Sequence, residues 1–124
     1  MLSSPAALAV IDGNLCQLSR EGTSLVTRPP LATAIDEFRG GPLCVYVREH
    51  PFGLLPGISN LYCLDAGLRL LWLAEWPVAC GPCTRILDTT PHVVTAESTS
   101  GMLVHLNAHT GRAIGVSHAM AATG

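Results

Sequence analysis

A hairpin signature that occurs three times constrains this chain most strongly. Its clearest copy covers residues 60–72, NLYCLDAGLRLLW, where two strand-forming runs flank a tight Asp-Ala-Gly turn. Related stretches lie at residues 102–115, MLVHLNAHTGRAIG, and more faintly at residues 14–26, NLCQLSREGTSLV. The leucine that ends the first strand of each copy recurs at intervals of 46 and 42 residues, at Leu18, Leu64 and Leu106. The sequence therefore predicts one hairpin unit used three times.

The turns of the second and third copies carry a recognisable repeat pattern. Repeats of roughly 40 to 50 residues with several strands each are typical of propeller blades. The Asp65-Ala66-Gly67 turn followed by Trp72, and the Asn-Ala-His-Thr-Gly turn that ends at Gly111, resemble the repeat of quinoprotein-type (PQQ-like) β-propellers. The resemblance covers most of the second and third units and only the strand pattern of the first.

This resemblance implies an all-β fold in a single domain. The chain would form an antiparallel meander of three blade-like units, at residues 5–30, 42–77 and 84–120, which amounts to half of a propeller. Two features depart from the family pattern, because the second unit has no threonine before its turn glycine and the third has Gly115 in place of the usual tryptophan. Quinoprotein dehydrogenases are long secreted chains with more blades. We therefore expect the fold of the repeat without its cofactor.

Prolines and glycines mark the limits of the units. Pro29-Pro30 ends the first unit, because neither residue can donate a hydrogen bond to a strand ladder. Residues 31–38, LATAIDEF, are the only stretch where a helix competes with a strand, over at most two turns. Residues 49–59 hold two prolines and two glycines and predict a long loop, of the kind that can carry a ligand site.

Four residues are predicted to have structural roles. Trp72 ends the central hairpin and Trp76 follows it, and tryptophan offers a large area for packing, so we expect them to dock neighbouring units together. Gly67 and Gly111 lie in the turns of the second and third copies, where glycine accepts backbone angles that other residues avoid.

The composition predicts self-association. Apolar residues make up 48% of the chain and charged residues only 13%, against roughly 25% in a typical soluble domain. Three blade-like units cannot close a ring, so two sheet faces would stay bare. Leaving several hundred Å² of apolar surface wet would forgo on the order of 10 kcal/mol. We therefore expect a homodimer, with any further protein or small-molecule ligand unspecified.

Charge and hydropathy exclude two kinds of partner. The net charge is −2 and no basic cluster is present, which argues against binding to nucleic acid. No apolar run approaches the roughly 18 residues that a membrane helix needs, so no membrane contact is expected. Five cysteines, an odd number, and the lack of a recognisable secretion signal favour reduced thiols in the cytoplasm.

The sharpest local motif is Cys80-Gly81-Pro82-Cys83, which matches the active-site sequence of thioredoxins. That chemistry requires the first thiol at the N-terminus of a helix, where the helix dipole lowers its pKa. Only residues 84–90 separate the motif from the next proline, and they are too few for the long helix of that fold. We interpret the motif as a Gly-Pro turn flanked by cysteines, with a thiol-disulfide oxidoreductase as the alternative.

A metal site is a further alternative. Cys80 and Cys83 have the spacing of a zinc knuckle, and His92 is the first conceivable third ligand, with His105 or His109 as others. A second knuckle is missing, and no pair of carboxylates suggests acid-base catalysis. The sequence thus favours a non-catalytic binding or scaffold module over an enzyme that uses Cys80 and Cys83.

Overall fold

Eleven β-strands build the protein, and the computed structural model describes residues 7–41, 43–53 and 58–118. The first sheet holds β1 (Ala7–Ile11), β2 (Asn14–Leu18) and β3 (Ser24–Arg28). The second holds β4 (Ile35–Gly40), β5 (Cys44–Glu49), β6 (Leu61–Asp65) and β7 (Leu70–Leu73). The third holds β8 (Cys83–Thr89), β9 (Val93–Ser98), β10 (Met102–Asn107) and β11 (Ala113–His118).

Each sheet is an antiparallel meander in which every strand pairs with its neighbour in sequence. The predicted all-β class is therefore confirmed, as three sheets of three, four and four strands. In the described residues, the one helical segment is a short 3₁₀ turn at Val78–Cys80. No helix there has the length and apolar character needed to cross a membrane.

Residues 31–38, where a helix competed, contain the start of a strand instead. Ile35 and Phe38 of β4 pack against the core between the first and second sheets, while the backbone of β4 pairs with β5. The tertiary contacts therefore override the weak helical spacing of these residues. As a result, the second sheet begins at Ile35, before the unit boundary expected at residue 42.

The second sheet lies between the other two. Val45 and Val47 of β5 belong to a buried cluster that includes Leu15 of the first sheet. Tyr46, between them in sequence, belongs to a second cluster that includes Ile86 of the third sheet. Because successive residues of a strand point to opposite faces, the second sheet is buried on both faces.

The three predicted hairpins are equivalent in the structure. Each has a shift in strand register at a leucine in the last two residues of its first strand, namely Leu18, Leu64 and Leu106. Each turn then has one residue with positive φ, namely Gly22 (83°), Leu68 (65°) and Gly111 (74°). In the second turn the residue with positive φ is Leu68 and not Gly67. Gly67, which was expected to permit that turn, is therefore not the residue in the strained backbone conformation.

Side-chain size explains why a leucine occupies this strained position. We call the packed interface between two neighbouring sheets a seam. In the seam between the second and third sheets, Trp72 covers Gly111, and a Cβ on that glycine would overlap the indole ring. In the seam between the first and second sheets, the residue equivalent to Trp72 in strand register is Val26. Here Leu68 is only 2% exposed, in the same buried cluster against which Val26 packs. One seam thus combines a large residue with glycine, and the other a smaller residue with leucine.

Candidate functional site

The Cys80-to-Cys83 segment is a buried connection between the second and third sheets. Cys80 ends the 3₁₀ turn, and Cys83 opens β8; their exposed fractions are 7% and 0%. Gly81 has a φ of 76°, and a Cβ at this position would overlap the Thr99 hydroxyl. The Trp76 indole donates a hydrogen bond to the Gly81 carbonyl. The glycine is therefore required by the backbone and its neighbours.

The surroundings of Cys83 oppose the chemistry of an attacking thiolate. A strand continues from Cys83, so no helix dipole points at either sulfur. Asn60 holds the backbone of Cys83, donating to its carbonyl at 2.7 Å and accepting from its N–H at 2.9 Å. Burial raises the pKa of the Cys83 thiol to about 12. All five cysteines of the chain are free thiols.

We expect the thiols of the folded protein to react slowly with DTNB at neutral pH. With a pKa of about 12, roughly one Cys83 in 10⁵ is a thiolate at pH 7, and the thiolate is the reactive form. Cys44 is the only cysteine that is not fully buried, so it should react first. A stopped-flow titration with and without urea measures this, and rapid reaction of two thiols together with insulin reduction would instead support the oxidoreductase alternative.

The structure does not bring the candidate metal ligands together. Cys83 opens β8, whereas His92 lies in the turn beyond the opposite end of that strand. His109 lies closer to His92, with ring centroids 6.4 Å apart, and His105 hydrogen-bonds Thr95 and Ser117 on the outer face of the third sheet. In the described residues, no group of three or more His, Cys, Asp or Glu side chains is arranged to hold a metal ion.

The described part of the predicted loop at residues 49–59 yields little of a site. Its residues 54–57 lie outside those described. At its start, the His50 ring lies edge-on to Phe52 at 5.5 Å, and Phe52 is 70% exposed. These contacts define a surface and do not enclose a ligand.

A cavity of about 340 Å³ is the strongest candidate site. It lies between the second sheet and the turns at one end of the third sheet. Its wall on the second sheet is formed by Gly41, Leu43, Cys44, Tyr46, Cys63 and Leu71. Its wall on the third sheet is formed by Thr89, Thr90, Pro91, Ala108 and His109. The volume falls at the small end of the range for ligand pockets.

The cavity exists because a small residue occupies a position that is filled in the other seam. Cys63 and Gln17 occupy equivalent positions in their hairpins. Each directly precedes the leucine at the register shift, and Cys63 pairs with Trp72 as Gln17 pairs with Val26. The Gln17 side chain reaches across its seam and donates to the Ala66 carbonyl. A thiol is too short to do the same, so space remains beside Cys63.

The cavity presents two polar groups, the Tyr46 phenol and the Cys63 thiol, that are electrically neutral at physiological pH. Burial, helped by the neighbouring Cys44, raises the pKa of the Tyr46 phenol well above its ordinary value. Burial and Cys44 likewise raise the pKa of the Cys63 thiol. No Asp, Glu or Arg is among the described residues that line the cavity. The phenol and the Cys63 thiol can therefore form hydrogen bonds, but offer no charge to balance an ionic ligand.

Sequence reasoning did not find this site. Tyr46 and Cys63 look like ordinary members of alternating strands, and the opposite wall comes from turns more than twenty residues further along the chain. The one available signal was the substitution of cysteine for glutamine between the first two copies of the hairpin. Trp72 lies in the seam between the second and third sheets, where its indole donates to the Ala108 carbonyl at 3.2 Å.

No protein-family model matches this chain, and no curated protein matches it significantly.

Proposed function

We propose that this chain is a non-catalytic binding module that takes a small, uncharged and mostly apolar molecule into the cavity between its second and third sheets. The observation that carries the proposal is the lining of the cavity, which combines apolar side chains with the neutral hydroxyl of Tyr46 and the thiol of Cys63. Apolar pockets with a few convergent polar groups are the usual form of small-molecule sites.

The absence of Asp, Glu and Arg from the described lining of the cavity sets the chemical class of the ligand. Moving an ion out of water into an apolar site costs free energy unless a partner charge or several hydrogen bonds compensate. A neutral molecule avoids this cost and still gains from burial of its apolar surface, at roughly 25 cal/mol per Å². A single hydroxyl or carbonyl on the ligand would find the Tyr46 phenol as its partner.

The stacking of the sheets supports a propeller-like framework for this module. Register, turn geometry and the residues that meet across each seam correspond between successive sheets, as expected for neighbouring blades. In this proposal the chain is a half-propeller whose seams are the places where ligand sites arise. Small changes in side-chain size at a seam then open or close a site without altering the fold.

The homodimer expected from bare sheet faces remains a prediction. The outer face of the third sheet carries polar pairs: Arg85 pairs with Glu97 at 2.7 Å, and His105 bonds Ser117 at 3.0 Å. Polar outer faces are typical of the units that cap a stack. This face therefore offers less apolar surface to a second copy than the low overall charge suggested.

Calorimetric titration with naphthol and naphthoate tests the ligand site. The two molecules share a ring system, but naphthol is uncharged at neutral pH whereas naphthoate carries a carboxylate. We expect naphthol to bind and naphthoate to bind at least about tenfold more weakly, because the described lining offers its carboxylate no Arg partner. Equal binding of the two, or binding of neither, would contradict the proposal.

A matched pair of variants locates the binding. Cys63→Met should fill the cavity and weaken naphthol binding, by about tenfold or more, since the ligand and the longer side chain compete for the same space. Gln17→Met makes the same new side chain at the equivalent position of the other seam, and should leave naphthol binding unchanged. If both variants bind naphthol like the unmodified protein, the ligand is not in this cavity.

A further inference from the structure

The first sheet has an unusual edge. It contains three strands where the other two sheets contain four, and among the described residues β1 pairs with β2 alone. The hairpin of β2 and β3 corresponds to that of β6 and β7 and to that of β10 and β11, because all three share the register shift and the positive φ. The strands that directly precede these hairpins are then also equivalent, so β1 corresponds to β5 and β9. Both of those strands have a neighbour on each side.

The regularity of its pairing also identifies β1 as an interior type of strand. Every other pairing that involves an edge strand has a shift in register, namely β2 with β3, β4 with β5, β6 with β7, β8 with β9 and β10 with β11. Three pairings have no shift: β5 with β6, β9 with β10, and β1 with β2. The first two lie in sheet interiors. The pairing of β1 therefore has the form of an interior pairing, although β1 lies at an edge.

The sequence of β1 gives this edge no protection. Edge strands usually carry charges, prolines or bulges that prevent pairing with another chain. Strand β4 carries Asp36, Glu37 and Arg39, and β8 carries Arg85 and Asp88. Strand β1 reads ALAVI, without charge or proline. Strand β1 therefore lacks these protections, and its edge can pair with another strand.

The turn after β1 determines which backbone groups face outward. Asp12 and Gly13 form a two-residue turn with φ of 52° and 82°, and in such hairpins the flanking residues, Ile11 and Asn14, form a hydrogen-bonded pair. Since bonded and non-bonded pairs alternate, the N–H and C=O groups of Leu8 and Val10 point away from β2.

We propose that the free edge of β1 binds an extended, uncharged and apolar segment of a partner polypeptide, which adds a fourth strand antiparallel to β1. The N–H and C=O groups of Leu8 and Val10 would pair with this segment, as in other cases of strand addition. Ile35 and Phe38 of β4 are half-buried beside the first sheet and would pack against the face of the added segment that points to the second sheet.

Comparison with the complete sheets gives the chemistry of the segment. In the second sheet, Glu37 of the edge strand pairs with Arg48 of the next strand at 2.9 Å. In the third sheet, Arg85 pairs with Glu97 at the same position. In the first sheet this position is Val10, so a charged residue opposite it would find no partner. The added strand should therefore be apolar there.

The neighbouring sheet argues for a single strand and against a second copy of the whole chain. Strand β4 extends the second sheet one strand beyond β1, because β5 is the counterpart of β1. If β1 paired with β1 of another copy, the two second sheets would lie on the same face of the joined sheet and their β4 strands would collide. A single extended segment avoids this overlap.

Hydrogen exchange with a peptide probe tests the proposal. The probe is a blocked peptide with the sequence of β1 between serine residues, which is uncharged and apolar, and the control peptide has glutamate in place of its valine. We expect saturating probe to slow exchange at the Leu8 and Val10 amides by about tenfold or more, since both become hydrogen-bonded. The control peptide should have no effect. No slowing at either amide would overturn the proposal.

Two proline variants complete the test. Val10→Pro removes an outward N–H of β1 and should abolish probe binding, while Thr27→Pro removes the outward N–H of β3, the other edge of the same sheet, and should leave it intact. Both replace an amide that faces away from β2, so both should fold, as circular dichroism can verify. Probe binding that survives Val10→Pro overturns the proposal. So does slow exchange at Leu8 and Val10 without probe, which would mean that the chain itself in a monomer, or a second copy in a dimer, already occupies the edge.

Discussion

Replacing Gly111 by leucine should destabilise the protein by about 4 kcal/mol or more, because the new side chain must enter the space held by Trp72. The backbone is not the main obstacle. Leu68 adopts the same left-handed conformation at the equivalent position, with a φ of 65°, at a cost of about 1 to 2 kcal/mol. The clash with the indole ring therefore dominates the expected loss.

A double-mutant cycle tests this explanation. Trp72→Val alone should cost about 3 kcal/mol, because it leaves a cavity in the seam. In the double variant, valine and leucine reproduce the pair formed by Val26 and Leu68 in the other seam. We expect a coupling of about 2 kcal/mol or more in favour of the pair. Urea unfolding of the four proteins measures it.

The first seam provides the matched control. Val26→Trp together with Leu68→Gly transfers the Trp72 and Gly111 pair in the opposite direction. The double variant should again lose less unfolding free energy than the sum of the losses of the two single variants. If the two substitutions in either seam are additive, the sizes of these residues are not matched across the seam, and the explanation for the strained Leu68 fails.

Replacing Glu49 by alanine should destabilise the protein by about 3 to 4 kcal/mol. The carboxylate is 1% exposed and accepts hydrogen bonds from the backbone N–H groups of Leu31, Ala32 and Thr33. It also accepts one from the Tyr62 hydroxyl. Alanine leaves all four donors without this acceptor. Glu49→Gln keeps one carbonyl oxygen and should cost less, about 2 kcal/mol.

The effect of Glu49 should depend on pH. Burial by itself would raise the pKa of this carboxyl, but hydrogen bonds from Thr33, Tyr62, Leu31 and Ala32 outweigh burial and hold the pKa below its ordinary value. A group with a lowered pKa in the folded state stabilises the fold fully above its unfolded pKa, about 4.3 for glutamate. That contribution is lost as the pH falls through the folded pKa.

Unfolding free energies of the unmodified protein and Glu49→Gln between pH 7 and pH 3 measure this contribution. The difference between the two proteins should be largest near neutral pH and should shrink in acid, because protonated glutamate resembles glutamine. Asp88→Asn is a control, since that side chain is exposed on β8. A difference that stays constant with pH would mean that the charge on Glu49 does not stabilise the fold.

Local patterns in the sequence were enough to locate most strands. The alternation of Val45 and Val47 with polar or larger neighbours, and the Asp12-Gly13 turn, predict strands and a hairpin that the structure contains. Strand β4 was missed as a strand because the helical spacing of residues 31–38 competes with it, and only its pairing with β5 decides between the two. The sequence also gave no reason to expect Leu68, instead of Gly67, in the left-handed conformation.

The amino-acid sequence by itself determined the all-β class and the three equivalent hairpins, because turn residues and alternating apolar residues act over a few neighbours. Only the tertiary structure decided which sheet lies in the middle, where the cavity opens and which edge stays unprotected. These features depend on pairs such as Trp72 with Gly111, and on the small size of Cys63, across seams between distant segments. Side-chain volumes that meet only after folding leave no periodic signal along the chain.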